Sequence, residues 1–205
     1  MIPFEQQLEL HSCGAAALVM IYRSFGWNAD QRTVLQETGY SRRITQLAAH
    51  ARNKGLQTMI VRFNDSWKGL CAVHQKNMDC RIIINHRLLN NVHFGHYSVI
   101  VHLLHREQEM IVHDPLFGPN RHWKRETLYH LWNEPGGEIA GKIALLIKMP
   151  DSKIYDTKYV KCTECKNFVD LNDIQEILPY CEQIFCPNCD HPMSVKNERM
   201  QLYRK

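Results

Sequence analysis

The chain lacks an apolar run near the roughly 18 residues that a membrane-spanning helix needs. Its best candidate, residues 14–21, is too short and is soon followed by Arg23. It also lacks a basic start: Met1-Ile2-Pro3-Phe4-Glu5-Gln6-Gln7 carries no Lys or Arg, which argues against a secretory signal peptide. There is no internal repeat and no low-complexity stretch, so solenoid and disordered classes are set aside. A strong charge imbalance is missing too. The formal net charge is +4, and the small basic clusters Arg42-Arg43 and Arg121-His122-Trp123-Lys124-Arg125 read as solvated faces. Contact with nucleic acid through them is the minor reading. An intracellular, cytoplasmic protein is expected. The 205 residues suffice for one ordinary domain with a small appendage.

Cysteine is plentiful. Eight cysteines in an intracellular chain point to metal or catalysis rather than to a disulfide framework. Cys162, Cys165, Cys186 and Cys189 form two Cys-x-x-Cys pairs separated by 20 residues. Two residues between cysteines let a tight turn aim both sulfurs at one ion, and four thiolates leave no open position. The reading is a structural Zn2+ site resembling a zinc ribbon, with Cys181 and His191 as stand-in ligands. Residues 160–195 are too poor in apolar side chains to fold without such a staple. Cys71, Cys80 and Cys181 have no assigned role.

Periodicity predicts helices over 13–25, 30–37, 44–55 and 66–75, and a helix over Thr127–Trp132. Gly26 and Gly55 mark helix ends, and Asn28 or Asp30 caps the second helix. Strands are expected at Thr58–Phe63, Cys80–Asn85, His96–Leu104, Met110–His113 and Lys142–Lys148. Helices first and strands later make an α+β arrangement. The organisation expected is a domain over 1–149, a polar linker over 150–159 and a zinc-ribbon-like segment over 160–205. Gly136-Gly137 reads as a turn rather than as a self-cleavage site.

Cys13 opens the first helix, whose apolar residues run round most of its faces, so the helix should be central and buried. A helix N-terminus favours the thiolate. His96, at the start of a predicted strand, supplies an imidazole as base and later acid, and Asp114, in a turn, supplies a carboxylate to orient it. Gln7, six residues before the cysteine, carries a side-chain amide suited to an oxyanion, beside the Cys13 N–H. Singly, each has an ordinary structural reading. Together they are the parts of a thiol nucleophile system.

These motifs resemble the papain-like double-glycine leader peptidases, the bacteriocin-processing domains often fused to export transporters. Gln7, Cys13-Gly14-Ala15-Ala16, Leu18, Met20-Ile21 and Gly26 match the nucleophile motif. Ile44–Gly55 is similar to the second helix, and Gly95-His96-Tyr97-Ser98 to the histidine strand. Asp114-Pro115-Leu116-Phe117-Gly118 is similar to the aspartate turn, and Glu126–Trp132 to the helix that follows. The likeness covers residues 1–148 and departs from the family at Ser12, where an acidic residue is usual. It implies a papain-like fold and a cysteine peptidase acting on a peptide or protein through Cys13, His96, Asp114 and Gln7. An acyltransferase or amidase on the same residues, or a peptide-binding module without catalysis, are the other readings. The four-cysteine segment would add a protein partner.

Overall fold

The structure, a computed structural model, describes residues 1–40, 43–76, 79–88, 91–133, 135, 141–150, 158–171, 174–195 and 202–204. Arg42, Gly136-Gly137 and linker residues 151–157 lie outside the described residues.

Three helices lead: α1 (Cys13–Ser24), α2 (Gln31–Glu37) and α3 (Ile44–Asn53). Their ends follow the expected chemistry. Asp30 caps α2 by accepting the Thr33 N–H at 2.9 Å. Gly26 and Gly55 take positive φ after α1 and α3, a conformation open to glycine without steric cost. Then come β1 (Gln57–Phe63), α4 (Ser66–Lys76), β2 (Arg81–Leu88), β3 (Asn91–Leu104), β4 (Glu109–Asp114), β5 (Gly118–Lys124), α5 (Arg125–Trp132) and β6 (Ile143–Lys148). The C-terminal segment adds β7 (Lys158–Lys161), β8 (Phe168–Asp170), β9 (Cys181–Phe185), β10 (Pro192–Ser194) and β11 (Leu202–Arg204). The α+β class holds. Beside the strands of the C-terminal segment, of which β7 begins inside the expected 150–159 linker, two details near the site differ from expectation. β3 begins at Asn91, so His96 sits inside a strand rather than at its start. β5 is an additional strand, because Pro119-Asn120-Arg121-His122 has no apolar alternation to announce one.

Eight strands form one antiparallel sheet in the order β10-β9-β1-β6-β2-β3-β4-β5, and β11-β7-β8 form a second, small sheet. The middle of the large sheet is buried on both faces. Along β1, Met59, Val61 and Phe63 join one core cluster while Ile60 joins the other. Ile82 and Ile84 likewise part from Ile83, and Ala144 and Leu146 from Leu145 and Ile147. Successive side chains point to opposite faces of a strand, so Ile82-Ile83-Ile84 and Ala144-Leu145-Leu146-Ile147 read as unbroken apolar runs. One face is covered by α1, α2 and α3. The other is covered by α4, α5 and the C-terminal segment.

α1 is buried from Cys13 to Tyr22, as its all-round apolar pattern requires. Gly14 allows the close approach. A Cβ there would lie 3.1 Å from Leu47 Cδ1 and 3.3 Å from Tyr97 Cδ2.

The sheet runs across position 149. β9 pairs antiparallel with β1, Ile60 opposite Phe185 and Val61 opposite Ile184. Ile174, Ile177, Ile184 and Met193 enter the same core cluster as Val61, Phe63 and Leu146. The physical reason is that β1 would otherwise present an unpaired edge beside an uncovered apolar face. A chain cut after Pro150 is therefore expected to lose this cover. Several aliphatic side chains, each contributing roughly 1.5–3 kcal/mol when buried, would lose their partners. Thermal unfolding should show a much lower and less cooperative transition than the full chain. An unchanged melting temperature would reduce the segment to an appendage.

Candidate active site

Cys13 begins α1 and is 7% exposed. The turn before it is tied by Ser12. The Ser12 hydroxyl accepts the Glu9 N–H at 2.9 Å and donates to the Glu9 carbonyl at 3.0 Å. Ser12 thus makes no side-chain cap on α1. The first N–H groups of a helix have no intrahelical acceptor, and they favour negative charge beside them.

His96 and Asp114 come from β3 and β4, which pair directly. His96 Nε2 lies 2.8 Å from Asp114 Oδ1, and each residue is 3% exposed. Asp114 Oδ1 also accepts the N–H groups of Leu116 at 2.9 Å and Phe117 at 3.1 Å. The carboxylate therefore folds its own turn while holding the imidazole. Nε2 being occupied, Nδ1 is the nitrogen left for Cys13. Burial by itself opposes a charged His96. The Asp114 hydrogen bond, and then the hydrogen bond and charge of Cys13, outweigh it and raise the imidazole to about 9. For Asp114 burial again opposes charge, but the His96 contacts hold the carboxyl below its ordinary value.

Gln7 lies on the loop before α1. Its Nε2 donates to the Glu9 carbonyl at 2.9 Å and lies 3.4 Å from the Leu10 carbonyl, while its buried Oε1 has no partner. The amide is therefore engaged by its own loop. Its backbone N–H donates to the Pro115 carbonyl at 3.0 Å, which binds this loop to the Asp114 turn.

His86 is one of many scattered histidines in the sequence, with no motif around it. In the structure it is the Cα partner of His96 across the β2–β3 ladder, and its ring meets the His96 ring edge-on at 5.2 Å and 88°. Its Nδ1 donates to the Arg87 carbonyl at 2.7 Å, so its Nε2 accepts from the Ser98 hydroxyl at 2.8 Å. Burial, and then the charge of His96, push it down to about 3, so it stays neutral. The signal that would have found it is hairpin register, which sequence alone does not give.

The four C-terminal cysteines converge in two matching turns. In the first, Cys162 N–H donates to the Asn167 carbonyl and Lys166 N–H to the Cys162 carbonyl. In the second, Cys186 N–H donates to the His191 carbonyl and Asp190 N–H to the Cys186 carbonyl. Lys166 and Asp190, each following the second cysteine of its pair, both take positive φ. Cys162 Sγ lies 3.7 Å from Cys189 Sγ, and Cys165 Sγ 3.7 Å from Cys186 Sγ. All four sulfurs fall within 4.8 Å of one another. Cys181 stands outside this group, with its thiol donating to the Ile177 carbonyl and pushed up to about 12 by burial. His191 stands outside it as well. Of the other two cysteines, Cys71 is buried 3.4 Å from His105 Nδ1 and Cys80 borders Arg81.

The model of the peptidase C39 family matches residues 1–135. The chain belongs to the peptidase C39 family. It is a cysteine peptidase. Among solved structures it is similar to a double-glycine-motif protease from an AMS/PCAT transporter, in complex with its leader peptide. There the identity is 22% and the TM-score 0.56, over 73% of this chain and 93% of that one. It is also similar to the peptidase domain of Streptococcus ComA, a bi-functional ABC transporter involved in a quorum-sensing pathway. That match has 14% identity and a TM-score of 0.58, over 73% of this chain and all of that domain (100%). No curated protein sequence matches. Among the described residues no helix is long and apolar enough to cross a membrane.

The raised His96 has a stability consequence. Its folded value of about 9 lies above the unfolded value of 6.5. Its contribution, about 3 kcal/mol at most, is fully present below pH 6.5 and is lost as pH rises through 9. Denaturant unfolding at a series of pH values should show this loss. Asp114→Asn should move it to lower pH, and an unshifted profile would detach Asp114 from the imidazole.

Proposed function

We propose that the peptidase hydrolyses a peptide bond through Cys13, His96 and Asp114, with Gln7 and the Cys13 N–H holding the oxyanion. The observation that carries this is the buried 2.8 Å pair of His96 and Asp114, with Cys13 acting on the same ring. In the resting state the imidazolium and thiolate form an ion pair. The sulfur attacks the carbonyl carbon, and the carbonyl oxygen takes the negative charge. When the tetrahedral species collapses, the C–N bond breaks and His96 gives its proton to the leaving amine. Neutral His96 then takes a proton from water, whose hydroxide attacks the thioester and releases the acid and the thiolate. Asp114 keeps the ring in one tautomer and orientation throughout. Gln7 joins only after its amide turns away from the Glu9 and Leu10 carbonyls.

The proposed substrate is a peptide or protein with small residues, Gly-Gly in particular, before the cut. Two features support it. The near closure of Cys13 and His96 favours residues without side chains beside the bond. Leu8, Leu10, Leu116 and Phe117 are exposed on the loops that flank Gln7 and Asp114, and Phe117 lies 6.5 Å from His96 ring to ring. They offer apolar contact to a leader segment like that bound to the double-glycine-motif protease.

We also propose that Cys162, Cys165, Cys186 and Cys189 hold a structural zinc ion. Sulfurs about 2.3 Å from a tetrahedral zinc are roughly 3.8 Å apart, and the two observed spacings are 3.7 Å. Arg52 of α3 lies within the electrostatic reach of Cys186 and Asp190, a cation suited to the surplus negative charge of four thiolates.

Cys13→Ala is expected to abolish cleavage of a Gly-Gly leader-type peptide and labelling of this site by iodoacetamide. Mass spectrometry of the products separates the reactions: a new carboxyl end marks hydrolysis, and an acyl group moved to an amine marks transfer. Intact cleavage by Cys13→Ala would sink the assignment. For the metal, elemental analysis should give about one zinc per chain, and a strong chelator should unfold the C-terminal segment. Cys186→Ser should lose the metal. Full stability without it would refute the site.

A further inference from the structure

We infer that Gln31 is a positioning residue for the oxyanion site, acting through Gln7. This rests on the proposed role of Gln7. Gln31 is the first residue of α2 and is 1% exposed. A buried side-chain amide must satisfy both its ends, and this one does so on the backbone that carries Gln7. Gln31 Oε1 accepts the Leu8 N–H at 2.8 Å. Gln31 Nε2 donates to the Gln6 carbonyl at 2.9 Å and reaches Glu5 Oε1 at 3.3 Å.

The two main contacts fall on the two peptide groups that meet at the Gln7 Cα. The Gln6 carbonyl belongs to the peptide group before it. The Leu8 N–H belongs to the one after it. The first group is held at its other end too, since the Gln7 N–H donates to Pro115. Peptide groups are planar, so fixing both fixes φ and ψ of Gln7 and the direction of its Cα–Cβ bond. The side chain beyond Cβ remains free to turn its amide toward an oxyanion. An amide is the group for this task, because it sets one donor beside one acceptor as an extended strand does. A carboxylate would put a second acceptor against the Gln6 carbonyl and a charge beside Glu5.

The clamp is anchored on both sides. Glu5 Oε2 is paired with Arg23 of α1 at 2.6 Å, and Arg23 donates to the Ala29 carbonyl through Nε and its second terminal nitrogen. The helix that bears Cys13 and the helix that bears Gln31 thus grip the same loop. An error of about 1 Å in a catalytic donor lowers rate by up to ~100-fold, which is the scale on which such a clamp matters.

The test is a double-mutant cycle on the full chain, read with a synthetic peptide aldehyde ending in Gly-Gly and with the matching alcohol. The aldehyde takes the Cys13 sulfur at its carbonyl carbon and leaves its oxygen in the oxyanion position. The alcohol measures ordinary binding. Gln31→Met keeps the volume and removes all three side-chain hydrogen bonds. Gln7→Ala should weaken the aldehyde about 100-fold. Gln31→Met should weaken it about 10-fold while alcohol binding and iodoacetamide alkylation of Cys13 stay at the wild-type level. The double variant should be no weaker than Gln7→Ala alone, because Gln31 acts only through Gln7. Losses that multiply, or a Gln31→Met protein that binds the aldehyde like the wild type, would overturn the inference and leave Gln7 in place. A Gln7→Ala protein with wild-type aldehyde affinity would overturn the oxyanion role itself, and the role of Gln31 with it.

Discussion

A carboxylate and an imidazole face each other at 2.8 Å, almost without water, and much of the surrounding architecture serves that contact. Two buried charges are stable only as a well-made pair. Asp114 is kept ionised by His96 and by the N–H groups of its own turn. His96 is kept charged by Asp114 and Cys13 against the pull of burial. The neutral His86 meets the ring edge-on at 5.2 Å without competing for the proton. Adjacent strands supply the histidine and the aspartate, and a helix start supplies the sulfur. The geometry is therefore set by sheet register and helix docking rather than by a flexible loop.

The same sheet ties this centre to the other end of the chain. β3 and β4 carry the pair, β2 and β6 form the doubly covered middle, and β1 passes the sheet on to β9. Beyond β9 lie two of the four clustered cysteines. α3 forms a second connection: Leu47 packs on Gly14 beside Cys13, and Arg52 lies within the electrostatic reach of Asp190 and Cys186. The His96–Asp114 pair and the cysteine cluster are thus linked through one continuous sheet.

Much of this is legible in the sequence. The α1 pattern announces a buried helix, Asn28 or Asp30 a cap for its neighbour, and the two Cys-x-x-Cys pairs their common turn geometry. Local residue chemistry suffices for these, because caps and turns are decided within a few residues. β5 is not legible, because its residues gain their strand from pairing with β4 and not from their own pattern. His86 and Gln31 escape notice for a related reason. Neither carries a local motif, and each matters only through a partner brought close by folding, His96 in one case and the backbone around Gln7 in the other.

The sequence alone pointed to thiol chemistry, to Cys13, His96, Asp114 and Gln7 as its candidate residues, and to the four clustered cysteines, since these depend on residue type and order. Tertiary structure alone decided three further things. It placed the C-terminal segment on the edge of the main sheet, set His86 against the His96 ring, and closed Gln31 onto both peptide groups of Gln7. These are contacts between segments far apart in the chain, and long-range contacts follow from strand register and helix packing, which no short run of residues encodes.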